Sequence, residues 1–320
     1  MNQEIVLEKE ALAVARDNAK PPLIFQLPPE QGREALEKAQ SSYIQMYPST
    51  VQYTYIDTKG YGSIRVFIVN PSTTCPKKKV IFYTHGAGWV FGSFHTHEKL
   101  VRELAYRTNS ILIFPEYDRA PEAVFPKAVY QCYSVLCQIP TLVRDYGINS
   151  YTLLVAGDSV GGGLATAMTI LAKYEKGPEI SKQLLFYPVT NDDFNTPSYQ
   201  KYASGYYLYK EGMEWFWNQY VPNREVRNSI LISPLKASLE QLHGLPSAMI
   251  LNGEVDVLHD EGVSYAKKLR KAGNDVTSIC FEGMIHDFVM LNALDTSNAT
   301  RAAMNVAVDW INGTGYHIQN

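Results

Sequence analysis

The stretch Gly157-Asp158-Ser159-Val160-Gly161-Gly162-Gly163 limits what this chain can fold into more than any other. An apolar run at 152–156 precedes it and reads as a buried parallel strand. A helical pattern follows, with Val160, Leu164, Met168 and Leu171 at spacings of three and four. A G-x-S-x-G between strand and helix is the setting of a sharp turn that holds a serine hydroxyl above a sheet. Glycines flank that serine because the turn leaves no room for side chains. The new helix begins beneath it and favours negative charge that develops nearby.

The rest of the chain supplies the sheet this turn needs. The order predicted is a hairpin at 51–56 and 63–69, strands at 80–83, 111–115, 152–156, 183–187, 248–251 and 276–281, and helices at 97–107, 125–136, 163–176, 261–271 and 298–311. Strand–helix alternation of this kind builds a mainly parallel sheet covered on both faces, with the hairpin as an antiparallel edge. The fold class read from this is α/β, with a mostly parallel central sheet flanked by helices. Residues 1–45 read as helical pieces, 4–18 and 28–45, that precede the first strand. Between Pro188 and Leu245 no strand is predicted. That interval carries Tyr199, Tyr202, Tyr206, Tyr207, Tyr209, Trp215, Phe216, Trp217 and Tyr220. Together 1–45 and 189–229 read as a helical cap over a site, on a core of 46–188 and 230–320.

A serine nucleophile needs a base, and the base an orienter, each just past a strand end. After the strand at 248–251 come Glu254, Asp256 and Asp260. Asp260 is expected to cap the helix at 261–271. Asp256, at the loop tip, is the expected acid, with Glu254 the runner-up. His286, just past the strand at 276–281, is the expected base. His259 ranks below it, and His95, His243 and His317 have no supporting context. The oxyanion donors are expected from Val160 and from the small-residue loop His85-Gly86-Ala87-Gly88-Trp89 after the strand at 80–83.

Other chemistries find little support. The chain has 320 residues, 29 Lys and Arg against 32 Asp and Glu, and a net charge of −3, which argues against nucleic-acid binding. No apolar run is long enough to span a bilayer. The N-terminus lacks the pattern of a signal peptide, so a cytoplasmic location is expected. Cys75, Cys132, Cys137 and Cys280 show no metal-ligand spacing and read as buried free thiols. No metal or cofactor is called for.

Taken together these motifs resemble the hormone-sensitive-lipase-like branch of the α/β-hydrolase esterases. His85-Gly86-Ala87-Gly88-Trp89 is similar to that branch's H-G-G-G-[FW], and Gly157–Gly162 to its G-D-S-A-G-G. The stretch Asp256-Val257-Leu258-His259-Asp260-Glu261-Gly262 is similar to its D-P-L-R-D-E-G. Gly283-Met284-Ile285-His286-Asp287-Phe288 is similar to its G-x-x-H-x-F, and residues 116–122 to its D-Y-R-L-A-P-E. The resemblance implies an α/β-hydrolase fold and a serine carboxylesterase acting on uncharged short- to medium-chain esters. It implies a triad of Ser159, Asp256 and His286, with the amides of Ala87, Gly88 and Val160 as the oxyanion hole. It also implies the possibility of a homodimer through the last strand. Two alternatives stand beside it: an amide hydrolase or deacetylase using the same triad, and a ligand receptor. Plant gibberellin receptors resemble this branch but lack the triad histidine. Three departures are visible. Ala87 stands where the branch has glycine, which costs on the order of 1 kcal/mol if that position needs a positive φ. Val160 replaces alanine and is expected to narrow the space beside the serine. Asp118-Arg119 replaces Arg-Leu.

Overall fold

The computed structural model describes residues 5–313. Eight strands form one sheet in the order β1-β2-β4-β3-β5-β6-β7-β8. They are β1 (Ser49–Asp57), β2 (Ser63–Pro71), β3 (Lys79–Thr84), β4 (Ser110–Glu116), β5 (Thr152–Asp158), β6 (Lys182–Phe186), β7 (Ser247–Val255) and β8 (Val276–Ile285). β1 and β2 pair antiparallel, as do β2 and β4, and every later pairing is parallel. The near-continuous apolar runs explain this. Val80 to Tyr83, Ile111 to Phe114 and Leu153 to Ala156 are buried on both faces, as parallel strands covered by helices must be. Parallel pairing carries the C-terminal ends of β3, β5, β7 and β8 to one rim, where the loops holding Ala87, Ser159, Asp256 and His286 begin.

The elements predicted from sequence are present, with shifted ends. The first helix is Lys9–Asn18 rather than 4–18, and residue 4 lies outside the described residues. Residues 5–8 before it have no regular secondary structure, and the Glu8 N–H donates to the Gly283 carbonyl at 2.9 Å. The second helix, Pro29–Ala39, stops well short of residue 45. The helix predicted at 163–176 starts at Val160, and a further helix, Ile139–Arg144, was not read from the sequence. The helix Phe94–Thr108 opens on a capping box, with Ser93 and Thr96 bonding each other's backbone amides.

Of the four cysteines only Cys132 is buried. Cys75, Cys137 and Cys280 are exposed, which corrects the expectation of buried thiols. Cys280 lies on the edge strand β8. Among the described residues no helix is long and apolar enough to cross a membrane, and no group of three His, Cys, Asp or Glu side chains is placed to hold a metal.

Candidate active site

The serine turn is built by close backbone approach. Ser159 has φ 53° and ψ −124°, a strained conformation just before the helix Val160–Tyr174. Its N–H donates to the Phe186 carbonyl on β6 and its carbonyl accepts from Val189, both at 2.9 Å. A side chain on Gly161 would collide with the carbonyl of Thr84, whose hydroxyl donates to the Gly161 carbonyl at 2.7 Å. The helix can therefore start only where residue 161 has no Cβ.

At this turn the loops from β7 and β8 converge. His286 Nε2 lies 2.9 Å from Ser159 Oγ, and His286 Nδ1 lies 2.6 Å from Asp256 Oδ2. The other oxygen of Asp256 accepts the Leu258 N–H at 2.9 Å, which fixes the carboxylate's rotation. All three side chains are nearly closed off, with exposures of 3 %, 2 % and 1 % for Ser159, His286 and Asp256. Burial pushes the His286 pKa down, but the carboxylates of Asp256 and Asp287 outweigh it and raise it to about 9.

The competing candidates lie elsewhere. Glu254 accepts the Gly283 N–H at 2.8 Å and is spent on holding β8. His259 bonds its neighbour Asp260, His95 pairs with Glu37, and His243 bonds the Ala272 carbonyl. His317 is outside the described residues. Asp260 does not cap its helix, because that helix is His259–Lys271 and Asp260 already lies within its first turn. Its Oδ2 accepts instead from the Ser198 N–H at 2.8 Å, at the start of the short helix Pro197–Lys201.

The loop after β3 turns on three consecutive left-handed residues, Ala87 (φ 72°), Gly88 (φ 67°) and Trp89 (φ 60°). Ala87 thus bears a positive φ, which costs a residue with a Cβ on the order of 1 kcal/mol. Ala87 and Gly88 line the same cavity as Ser159 and His286. Val160 is fully buried and lies near Trp89, Tyr220, Leu231 and Ile232. Arg119 donates to the Gly92 carbonyl at 2.7 Å and so ties down the end of this loop, while Asp118 pairs with Lys127.

Sequence reasoning missed two carboxylates. Asp158, wholly buried, is the hub of the loop: its Oδ1 accepts the Tyr83 hydroxyl at 2.6 Å and the Gly86 N–H at 3.1 Å, and its Oδ2 lies 3.2 Å from His97 Nε2. Burial would raise its pKa, yet His97 and the Tyr83 hydrogen bond hold it below the usual carboxylate value, and His97 is raised in turn. The neighbouring His85 is pushed down to about 3 by burial and by His97, and stays neutral, stacked on Tyr117. The second carboxylate, Asp287, stands beside the histidine with φ 61°, and burial raises its pKa to about 6. A helix-period reading had no means to find it, because it follows His286 in a non-helical turn.

The cavity has a volume of about 250 Å³. Its walls come from the two segments outside the sheet: Leu23, Ile24, Phe25 and Leu36 from the N-terminal part, and Tyr207, Tyr209, Met213 and Phe216 from the insertion after β6. Phe25 packs on Tyr209, joining the segments. Tyr199, Trp217 and Tyr220 are fully buried beneath and do not reach the cavity.

Several known proteins similar to this chain are esterases. Residues 81–290 match the family described as having the alpha/beta hydrolase fold. An esterase of Fusarium pseudograminearum is 35% identical over 252 residues, 78% of either chain. An ethyl acetate hydrolase of Pseudomonas putida is 35% identical over 67% of each chain. The crystal structure of a thermostable esterase from Pseudomonas putida ECU1011 superposes with a TM-score of 0.93 at 35% identity, covering 98% of both chains.

Proposed function

The chain belongs to the alpha/beta hydrolase fold family, in its hormone-sensitive-lipase-like branch, and is a serine carboxylesterase; we propose that Ser159, His286 and Asp256 perform its chemistry. The observation that carries this reading is the unbroken line from Ser159 Oγ to His286 Nε2 at 2.9 Å and from His286 Nδ1 to Asp256 Oδ2 at 2.6 Å. Neutral His286 takes the Ser159 proton as the oxygen attacks the ester carbonyl. Asp256 fixes the imidazole and stabilises its cation. The amides of Ala87, Gly88 and Val160 receive the oxyanion, the last being a first-turn amide with no partner inside its helix. The protonated imidazole then delivers its proton to the leaving alkoxide, and water repeats the sequence on the acyl-enzyme.

A cavity of about 250 Å³ walled by Phe25, Met213 and Phe216 suits uncharged esters with short to medium acyl chains, being at or below the small end of ligand pockets. Residues 1–45 and 189–229 act as the cap on a core of 46–188 and 230–320. Four unpaired thiols, three of them exposed, suit a reducing, cytoplasmic setting. β8 is one of the two edge strands of the sheet, beside β1, and is the one through which a second copy would pair. Ser159→Ala is the direct test: turnover of p-nitrophenyl butyrate and labelling by a fluorophosphonate are both expected to vanish while the thermal transition is kept. Turnover retained in that variant would remove Ser159 as nucleophile.

A further inference from the structure

We infer that Asp287 holds the water that hydrolyses the acyl-enzyme. The inference rests on the esterase reading above and adds a residue to it. Asp287 is 6 % exposed and lines the same cavity as Ser159 and His286. Its Oδ2 accepts the Tyr207 hydroxyl at 3.3 Å, which anchors the carboxyl to the insertion after β6. Its Oδ1 lies 3.3 Å from His286 Nε2 and accepts no hydrogen bond. A buried carboxylate oxygen without a donor is costly, so its place beside the reacting nitrogen calls for a partner.

The reaction supplies one. During deacylation the attacking oxygen must stand within hydrogen-bond reach of His286 Nε2. Water carries two protons. One O–H points at Nε2 and is transferred there as the oxygen bonds to the acyl carbon. The other needs an acceptor at the buried end of the cavity, where Ser159 and His286 are almost inaccessible, and Asp287 Oδ1 is the unsatisfied acceptor next to Nε2. The tetrahedral intermediate then collapses: the bond from carbon to Ser159 Oγ breaks, His286 returns the proton to Oγ, and the carboxylic acid leaves. Asp287 accepts a hydrogen bond throughout and takes no proton. An alcohol attacking in place of water has a single O–H, spends it on Nε2, and gains nothing from Asp287. The carboxylate therefore favours hydrolysis over transfer to alcohols.

This difference is measurable as a partition of one acyl-enzyme. Wild type, Asp287→Gly and Tyr207→Phe are given p-nitrophenyl butyrate in buffered methanol, and butyric acid and methyl butyrate are quantified. Glycine suits the left-handed φ of residue 287 and deletes the carboxylate. The ratio of acid to methyl ester is expected to fall roughly tenfold in Asp287→Gly, the effect of one hydrogen bond to a charged acceptor. A smaller fall is expected in Tyr207→Phe, where the carboxylate stays but loses its anchor. A merely structural loss would slow both products equally and leave the ratio alone. An unchanged ratio in both variants overturns the inference even if total turnover drops. Absence of Ser159-dependent p-nitrophenol release from the wild type would instead sink the esterase reading itself.

Discussion

Removing the Asp158 carboxylate is expected to disable the oxyanion loop without touching the nucleophile. Three donors converge on it: the Tyr83 hydroxyl, the Gly86 amide and His97 Nε2. In Asp158→Ala all three are left buried without an acceptor, at a cost of ~1–3 kcal/mol each before relaxation. That is a large part of a typical folding stability of ~5–15 kcal/mol, so a drop in Tm on the order of 10 °C is expected. Gly86 directly precedes Ala87 and Gly88, so its freed amide lets the proposed oxyanion donors drift. Losing one such donor typically costs ~10²–10³ in kcat, and KM should change little, because the oxyanion exists only in the transition state and the intermediate that resembles it. Asp158→Asn is the control. Its side-chain carbonyl can still accept from Tyr83 and Gly86, and its amide can donate to a neutral His97, so most of kcat and of the Tm should return. The assay is p-nitrophenyl butyrate hydrolysis with kcat and KM resolved, alongside thermal unfolding. An Asp158→Ala enzyme that unfolds at lower temperature yet keeps kcat within about threefold of wild type would refute the link from this carboxylate to the loop.

Acylation needs His286 neutral, and its pKa is raised to about 9, so kcat/KM should climb with pH through the neutral range and level off near 9. A flat profile from pH 7 upward would contradict it. The same shift, up from 6.5, stabilises the fold below pH 6.5, and that stabilisation is lost as pH rises through about 9. Thermal denaturation across that range, compared between wild type and His286→Gln, isolates it. Phe216→Ala enlarges the cavity wall beside Gly88, against which Phe216 packs, and should move the best acyl length upward in a p-nitrophenyl ester series. An unaltered chain-length preference would show that Phe216 does not bound the acyl chain.

Much of the fold was legible because parallel strands buried on both faces must be apolar throughout, and 80–83, 111–115 and 152–156 are. The order serine, acid, histidine was legible because each follows a predicted strand, although the one before His286, 276–281, includes Thr277 and Ser278 and is only partly buried. Helix ends were less so. The helix starts at Val160 rather than 163: Gly161, Gly162 and Gly163 are poor helix formers, and tertiary approach at Gly161 overrides that propensity. Asp260 looked like a cap because it precedes an amphipathic run, but the helix begins a residue earlier and the carboxylate is taken by Ser198. Asp158 was hidden inside a motif read for its glycines and serine, and nothing in its spacing shows that Tyr83, Gly86 and His97 will meet there.

The distribution of backbone strain argues that these parts form one device. Nine non-glycine residues have positive φ among those described, and six of them, Ala87, Trp89, Ser159, Tyr187, Tyr207 and Asp287, belong to the loops around the cavity. Each such residue costs on the order of 1–3 kcal/mol and persists only where its surroundings over-determine it. The surroundings are on hand: Arg33 donates to the carbonyls of Val90 and Ala120, Arg119 to Gly92, Gln40 to Thr96 and Met290, and the Tyr187 ring packs 4.7 Å from the His286 ring. A site that relies on preorganised amides gains from such fixing, because donors that need not reorganise at the moment of reaction lower the barrier most. Arg33 and Gln40 belong to the N-terminal segment, outside the sheet. That segment therefore both walls the cavity and holds two of the strained loops in place, so its removal should reduce turnover of even the smallest ester, acetate included, and not merely widen the choice of acyl chain.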